Sequence, residues 1–476
     1  MFPSPNQGSR PTWFTRKRFF VILGVALLIA VIFFAFFAKS HKQEFAVGGL
    51  SFLTKVSKLL PIQEDTKKEI DVVNQIAEAL LKKDGVTRTY LVMLQNNYEL
   101  RPGGGFLGQY AIIKLKDGAV ISNFVEDANL LDQRIIAKIT PPYPLTRKLQ
   151  LKKWKFRDSN FSPDFPTNAD KAQYFYRLAG GGQKFDGVIA VNAFVFDHIL
   201  EITGPITPAG YSTTFSSDNG ALKLEEVVEK SYLGEDVPAE LKQARKNIMK
   251  KIAAEIVTHI ATVDKIPKVV ELALEELREK NVMLHFTDPA LQDLVKSVKW
   301  DGTIDTEWDG DYLMLVDANM GALKSDAYVK RSMEYTADFT GEKPMGYLTY
   351  TYTHTATHGD WRTSDYHTYL RVYTPKGSVL KDRKLVSYPL TNEDFNKTYF
   401  GMFVDTLING STAGQISYEL PSNVTPENYK LKLQKQSGVG TIPVKITVKT
   451  KDGEQTQTAD LKKDLIFTFQ TIEEKK

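Results

Sequence analysis

Three consecutive glycines set between two apolar runs constrain this chain more than any other feature. Thr89 to Leu94 (TYLVML) reads as a buried strand, and Tyr110 to Leu115 alternates before stopping at the turn Lys116-Asp117-Gly118. Between them lies Gln95 to Gly108, QNNYELRPGGGFLG. A glycine run costs conformational entropy, so it belongs where backbone takes positive φ or where another group must come close. Glu99 and Arg101 stand beside that backbone. A guanidinium next to the open amides of Gly103, Gly104 and Gly105 suits an oxyanion or a phosphate. A tight hairpin stitched by a structural Arg–Glu pair is the alternative. The spacing is neither that of a P-loop nor that of a dinucleotide fingerprint, so no nucleotide is implied.

The order Asn96, Glu99-Leu100-Arg101-Pro102, Gly104-Gly105-Phe106 after a hydrophobic strand resembles the signature of a bacterial family, domain-of-unknown-function family 4012. The resemblance covers roughly Thr66 to Thr336. The family name assigns no activity, so the chemistry has to be argued from residues.

The length of 476 residues predicts two or three domains. The absence of cysteine excludes disulfides, thiol catalysis and zinc–thiolate sites. A net charge of +4, with no basic stripe interleaved with aromatics, gives no reason to expect nucleic acid as a partner. Phe19 to Ala38 is uncharged and almost wholly apolar, with Arg10, Arg16, Lys17 and Arg18 just before it. That length and that flank predict a single membrane-spanning helix over 19–38 and a cytoplasmic tail over 1–18. A juxtamembrane linker over 39–64 follows, and the bulk of the chain is expected outside the cytoplasm, attached to the cell membrane. A cleaved signal peptide is the competing reading, but no clear small-x-small site precedes Lys39.

Residues 65–326 read as an α/β domain, a mixed sheet with helices on its faces. Asp65 to Lys83 is an amphipathic helix, Val120 to Val125 a third strand, Ala169 to Leu178 a helix, Phe185 to Val191 a strand and Phe194 to Thr203 a helix. The third strand runs into a segment holding Asp127 and Arg134, and the loop before Ala169 holds Asp158 and Asp164. Carboxylates and arginines at strand ends suit a cation or a phosphate, with helix caps and Asx-turns as the plainer roles. Asp127 and Asp158 are the expected ligands if a divalent cation such as Mg bridges carboxylate and phosphate oxygens. Asp186 to Ile206 is similar in order to a segment of the LytR–CpsA–Psr phosphotransferases, which also follow one membrane helix. That resemblance implies a fold of their kind and a polyprenyl-phosphate-linked glycan or cell-wall polymer as substrate. Their paired arginine motifs are not present as such, and Arg101 and the Asp127–Arg134 segment are the stand-ins. Asp311 to Val316 is a further strand, after which Asn319 and Lys324 are expected to close the site around Arg101.

From Ala327 to Lys476 period-two runs such as Val329 to Phe339 and Gly346 to Thr357 predict an antiparallel β-sandwich. His354, His358, Asp360 and His367 are too scattered there to form a metal site. No Ser/His/Asp triad, HExxH or P-loop occurs. Three functions remain: an anchored glycopolymer phosphotransferase, a non-catalytic binder of envelope glycan or anionic polymer, and an adhesion or assembly protein. For the first of these, Arg101, Asp127 and Arg134 are the catalytic candidates. Asn96, Glu99, Gly103, Gly104, Gly105, Asp158, Asp164, Asn319 and Lys324 are the binding candidates. The first function requires Arg and Asp converging in an apolar cleft. The second keeps the basic groups without the cleft. The third leaves the Arg101 surroundings closed and exposes apolar surface on the sandwich.

Overall fold

A computed structural model of the chain describes residues 63–230, isolated positions between 248 and 259, and residues 266–427 and 429–469. In its first half these are α1 (Glu64–Leu81), β1 (Thr87–Asn96), β2 (Phe106–Lys116), β3 (Ala119–Asp127), α2 (Ala128–Arg134) and α3 (Tyr143–Leu149). Then follow α4 (Phe165–Leu178), β4 (Gly187–Asn192), α5 (Phe194–Thr203), α6 (Gly220–Lys230), α7 (Ile266–Arg278), β5 (Val282–Phe286) and α8 (Pro289–Ser297).

The five strands form one sheet in the order β3-β2-β1-β4-β5. β1 is central, antiparallel to β2 and parallel to β4. A strand covered on both faces reads as a continuous apolar run, which is why TYLVML shows no alternation. Tyr90 and Val92 point to one face, where Val73, Ile76 and Leu80 of α1 and Ala273 and Leu277 of α7 meet them. Leu91 and Met93 point to the other, against Ala169, Ala172 and Phe175 of α4. Asp164 caps α4 by accepting from the Thr167 amide (3.1 Å), and Asp127 caps α2 by accepting from the Asn129 amide (2.8 Å).

The second half is strand after strand: β6 (Asp311–Asn319), β7 (Val329–Asp338), β8 (Met345–His354), β9 (Tyr366–Pro375), β10 (Val379–Lys384) and β11 (Ser387–Asp394). It continues with β12 (Lys397–Thr406), β13 (Ser411–Glu419), β14 (Lys430–Leu433), β15 (Ile442–Thr450), β16 (Gly453–Leu461) and β17 (Leu465–Thr468). They make two six-stranded sheets, β10-β13-β8-β7-β15-β16 and β11-β12-β9-β6-β14-β17. Met333 and Tyr335 of the first face Leu313, Leu315 and Val372 of the second in one shared core.

This architecture corrects the expected fold. The described chain holds three sheets, one in the α/β unit and two that pack as the sandwich. The distal sheets are mixed, because β14 runs parallel to β6 and β15 parallel to β7. The sandwich also does not begin at Ala327. β6, expected to extend the α/β sheet, lies between β9 and β14, and all nine of its residues are buried. Its apolar run gives length and burial but not the identity of its neighbours. The α/β sheet is mixed, with a single parallel pair, β1 with β4. Finally, among the described residues no helix is long and apolar enough to cross a membrane. The segment Phe19–Ala38, over which a spanning helix is expected, lies outside the described residues.

Candidate functional site

The Gly-rich turn sits where the α/β sheet meets the sandwich. β1 ends at Asn96, and the chain turns with the Glu99 amide donating to the Asn96 carbonyl (3.2 Å) and the Phe106 amide to the Glu99 carbonyl (2.9 Å). Two of the three amides expected to face an anion are engaged within the protein: Gly103 donates to the Asn160 carbonyl (3.0 Å) and Gly104 to the Arg101 carbonyl (2.9 Å). The missing side chains make room for the fold itself. A Cβ on Gly103 would lie 2.4 Å from Asn168 Nδ2, and one on Gly105 would lie 2.4 Å from the Asn96 backbone. Gly104, at φ 125°, is wedged among Gln95, Asn192 and Ser437. Opposite it stands Gly438, where a Cβ would fall 1.7 Å from the Gly104 carbonyl oxygen. Two backbones therefore touch at this point, one from each half of the molecule.

Arg101 is 3% exposed. Its Nε donates to Asp158 Oδ1 (3.0 Å), Nη2 to Glu99 Oε1 (3.2 Å), and Nη1 to the carbonyls of Leu100 (3.3 Å) and Asn319 (3.2 Å). The guanidinium carbon lies 5.1 Å from the centre of the Phe106 ring. Burial opposes the charge, but Asp158 and Glu99 outweigh it and hold the guanidinium above its ordinary range. Burial pushes Glu99 up as well, while Arg101 and Lys324 pull it down. Asp158 is equally buried, and its carbonyl accepts from Trp154 Nε1 (2.7 Å).

Beside this pair a row of buried amides crosses the interface. Asn160 Nδ2 donates to Gln95 Oε1 (2.7 Å), Gln95 Nε2 to Asn192 Oδ1 (2.9 Å), and Asn192 Nδ2 to Ser437 Oγ (3.0 Å). Ser437 in turn donates to the Lys280 carbonyl (2.6 Å). Gln436 Nε2 reaches the carbonyls of Arg101 (3.2 Å) and Asp317 (2.8 Å). Lys435 is buried between the carbonyls of Glu279 and Gln436, and burial pushes its ammonium down to about 8.

The remaining sequence candidates fall into three places. Asn319 joins Arg101: its side chain accepts from the Ala322 amide (2.8 Å) and donates to Asp326 (2.8 Å), and its own amide donates to the Leu100 carbonyl (2.9 Å). Asn96 and Lys324 meet instead at Glu225 of α6, at 2.6 and 3.2 Å. Asp127, Arg134 and Asp164 stand apart. Arg134 grips Glu126 at the surface with two bonds (2.9 and 2.5 Å), and Asp164 accepts from Ile304 N (3.2 Å) besides capping α4. Among the described residues no three His, Cys, Asp or Glu side chains converge as a metal site. Asp127 and Asp158 have a helix cap and an arginine as their partners.

Asp132, in the same acidic segment as Asp127 but not chosen from sequence as a site residue, accepts from the Phe156 amide (2.9 Å) and pairs with Arg157 (3.2 Å). Burial pushes its carboxyl up to about 6. Sequence reading missed the Lys435–Gly438 turn, a short polar stretch that carries no motif; the only signal was a glycine after a strand. The double amide Gln95-Asn96 was visible, but its partner across the interface was not.

The site and fold together define a class: an α/β unit locked by a buried polar seam onto a mixed β-sandwich, with its glycine signature inside the seam. Residues 85–228 match the model of a family described as protein of unknown function (DUF4012). The matched span is shorter than Thr66–Thr336, and Asn319 and Lys324 lie beyond it. No curated protein matches the chain. A solved structure, the Lin1025 protein from Listeria innocua, is similar at 12% identity. The match covers 47% of this chain and 81% of that one, with a TM-score of 0.25.

Proposed function

We propose that this is a non-catalytic protein of the bacterial cell envelope, built for adhesion or assembly and not for glycopolymer phosphotransfer. The observation that carries the reading is the closure around Arg101. A phosphate-binding arginine keeps donors free for its ligand. Here Nε, Nη1 and Nη2 each donate to protein oxygens, and the amides of Gly103 and Gly104 do the same. Exposed apolar side chains on the sandwich, among them Leu407, Leu385 and Tyr388, support the same reading. The extracytoplasmic location rests on sequence, on the apolar run Phe19–Ala38 behind Arg16, Lys17 and Arg18.

The test is titration of the wild-type protein with a short-chain polyprenyl phosphate, with and without Mg, followed by calorimetry. The expected result is no saturable heat. Saturable binding that disappears in an Arg101→Lys variant with unchanged melting overturns the proposal and restores the enzyme. Location is tested separately with a C-terminal reporter active only in the cytoplasm, which should stay silent.

A further inference from the structure

Sheet edges are where folded proteins guard against unwanted pairing, and among the described residues five of the six edges carry a guard. The Leu284 amide of β5 donates outward to the Trp300 carbonyl (3.0 Å). β10 presents Lys381, Asp382, Arg383 and Lys384, and β11 carries Pro389 and ends on Glu393 and Asp394. β16 is polar almost throughout, and β17 has four residues.

The sixth edge, β3, is different. Among the described residues it pairs only with β2, and its sequence AVISNFVED has no proline and no basic residue. Ile121 is 53% and Phe124 48% exposed. Its two acids lie at the C-terminal end and are already occupied. Glu126 takes Arg134 and the Tyr110 hydroxyl, and Asp127 caps α2. A shift in register near Ile121 leaves Ser122–Asp127 as the regular stretch.

We infer that β3 pairs with β3 of a second copy of this chain, antiparallel across a two-fold axis, joining two five-stranded sheets into one. The residue pattern of β3 is self-complementary in this direction and not in the parallel one. With Phe124 facing Phe124 at the axis, Ser122 opposes Glu126 and Asn123 opposes Val125, so every carboxylate meets a neutral residue. Parallel pairing would bring the acidic ends of the two strands together, which is destabilising. Aromatic rings facing each other across the axis are a favourable cross-strand pair. The inference stands on the edge alone and does not depend on the proposed function.

The experiment is sedimentation equilibrium on the full chain in detergent, comparing wild type with Ile121→Lys, Phe124→Lys and, on the sandwich, Leu407→Lys. The expected masses are a dimer for wild type and Leu407→Lys and a monomer for the two β3 variants, with unchanged melting. Phe124→Lys should weaken association by about tenfold or more, because it sets two ammonium groups across the axis. Amide exchange of Ser122–Asp127 in the wild type should slow as concentration rises, which tests the edge even if a variant fails to fold. A monomeric wild type, a dimer that survives in both β3 variants, or β3 exchange independent of concentration overturns the inference.

Discussion

Arg101→Lys separates a structural arginine from a ligand-binding one, and the geometry sets the size of the effect. The Arg101 and Asp158 side chains are 4% and 5% exposed, so neither charge can turn to water when its partner is lost. Removing one member of a buried ion pair costs about 3–5 kcal/mol, mostly from stranding the other. Arg101→Met should fall in that range. Lysine keeps the charge but has a single nitrogen in place of the planar fork. It can retain Asp158 but not also Glu99 and the carbonyls of Leu100 and Asn319. Those three contacts, at 3.2–3.3 Å, are long for N–H to O bonds and count at the low end, about 1 kcal/mol each. Arg101→Lys should therefore destabilise by about 2–3 kcal/mol.

The assay is denaturant unfolding followed by tryptophan fluorescence, to which Trp154, a donor to the Asp158 carbonyl, contributes. A cycle with Asp158→Asn should show the two changes to be non-additive by at least about 1 kcal/mol. An Arg101→Lys protein that unfolds like wild type, or an additive cycle, would falsify the view that this arginine holds the seam.

Two further outcomes follow from the same geometry. A fragment from Ala327 to Lys476 lacks β6, so β9 and β14 lose the strand they share, and it should show no cooperative melt by circular dichroism. A fragment from Thr303, which includes β6, should melt cooperatively, and a cooperative Ala327 fragment would refute the assignment. The second concerns pH. Burial pushes Asp311, which accepts from the hydroxyls of Tyr335 and Tyr429, from 3.8 up to about 6. The folded state then binds this proton more tightly than the unfolded state. The contribution is most favourable below pH 3.8, is lost as pH rises to about 6, and is flat above that. Asp132 adds the same sign over the same window. Asp311→Asn should flatten the fall in stability measured across that range, and an unchanged slope sinks the assignment.

What was legible in the sequence was local. The alternation of Val329 to Phe339 marks β7 because Met333, Tyr335 and Ala337 face the inter-sheet core while Lys330 and Glu334 face solvent. Ile70, Val73, Ile76 and Leu80 mark α1 for the same reason at helical spacing. β16, GEQTQTADL, was invisible because it has few apolar residues to alternate. β6 was visible as a strand but not as part of the sandwich, since membership of a sheet is decided by hydrogen bonds to β9 and β14 more than fifty residues and more than a hundred residues away. The glycines showed that something must lie close to Gly104. They could not show that the close group is Gly438 and not a phosphate, because a backbone and a ligand make the same demand for space.

That ambiguity explains why the signature reads as a binding loop. Asn96, Glu99, Arg101 and the three glycines have the chemistry of anion recognition, namely amides, a guanidinium and free approach. The fold spends that chemistry on itself. The Leu100 carbonyl accepts from Asn319 at the end of β6, Arg101 bonds the Asn319 carbonyl, and Gln436 binds the Arg101 carbonyl. The turn is thus tied to the sandwich through two separate stretches, one before β7 and one after β14. Separating the halves would break the bonds of Arg101 with Asn319 and Gln436 and those of Ser437 with Asn192 and Lys280, each worth about 0.5–1.5 kcal/mol net. Such a seam specifies one relative placement of the halves, because a slide of one residue would break the bonds that cross it. The Gly-rich motif and the sandwich are therefore one mechanical unit, and a change in either should be felt in the other.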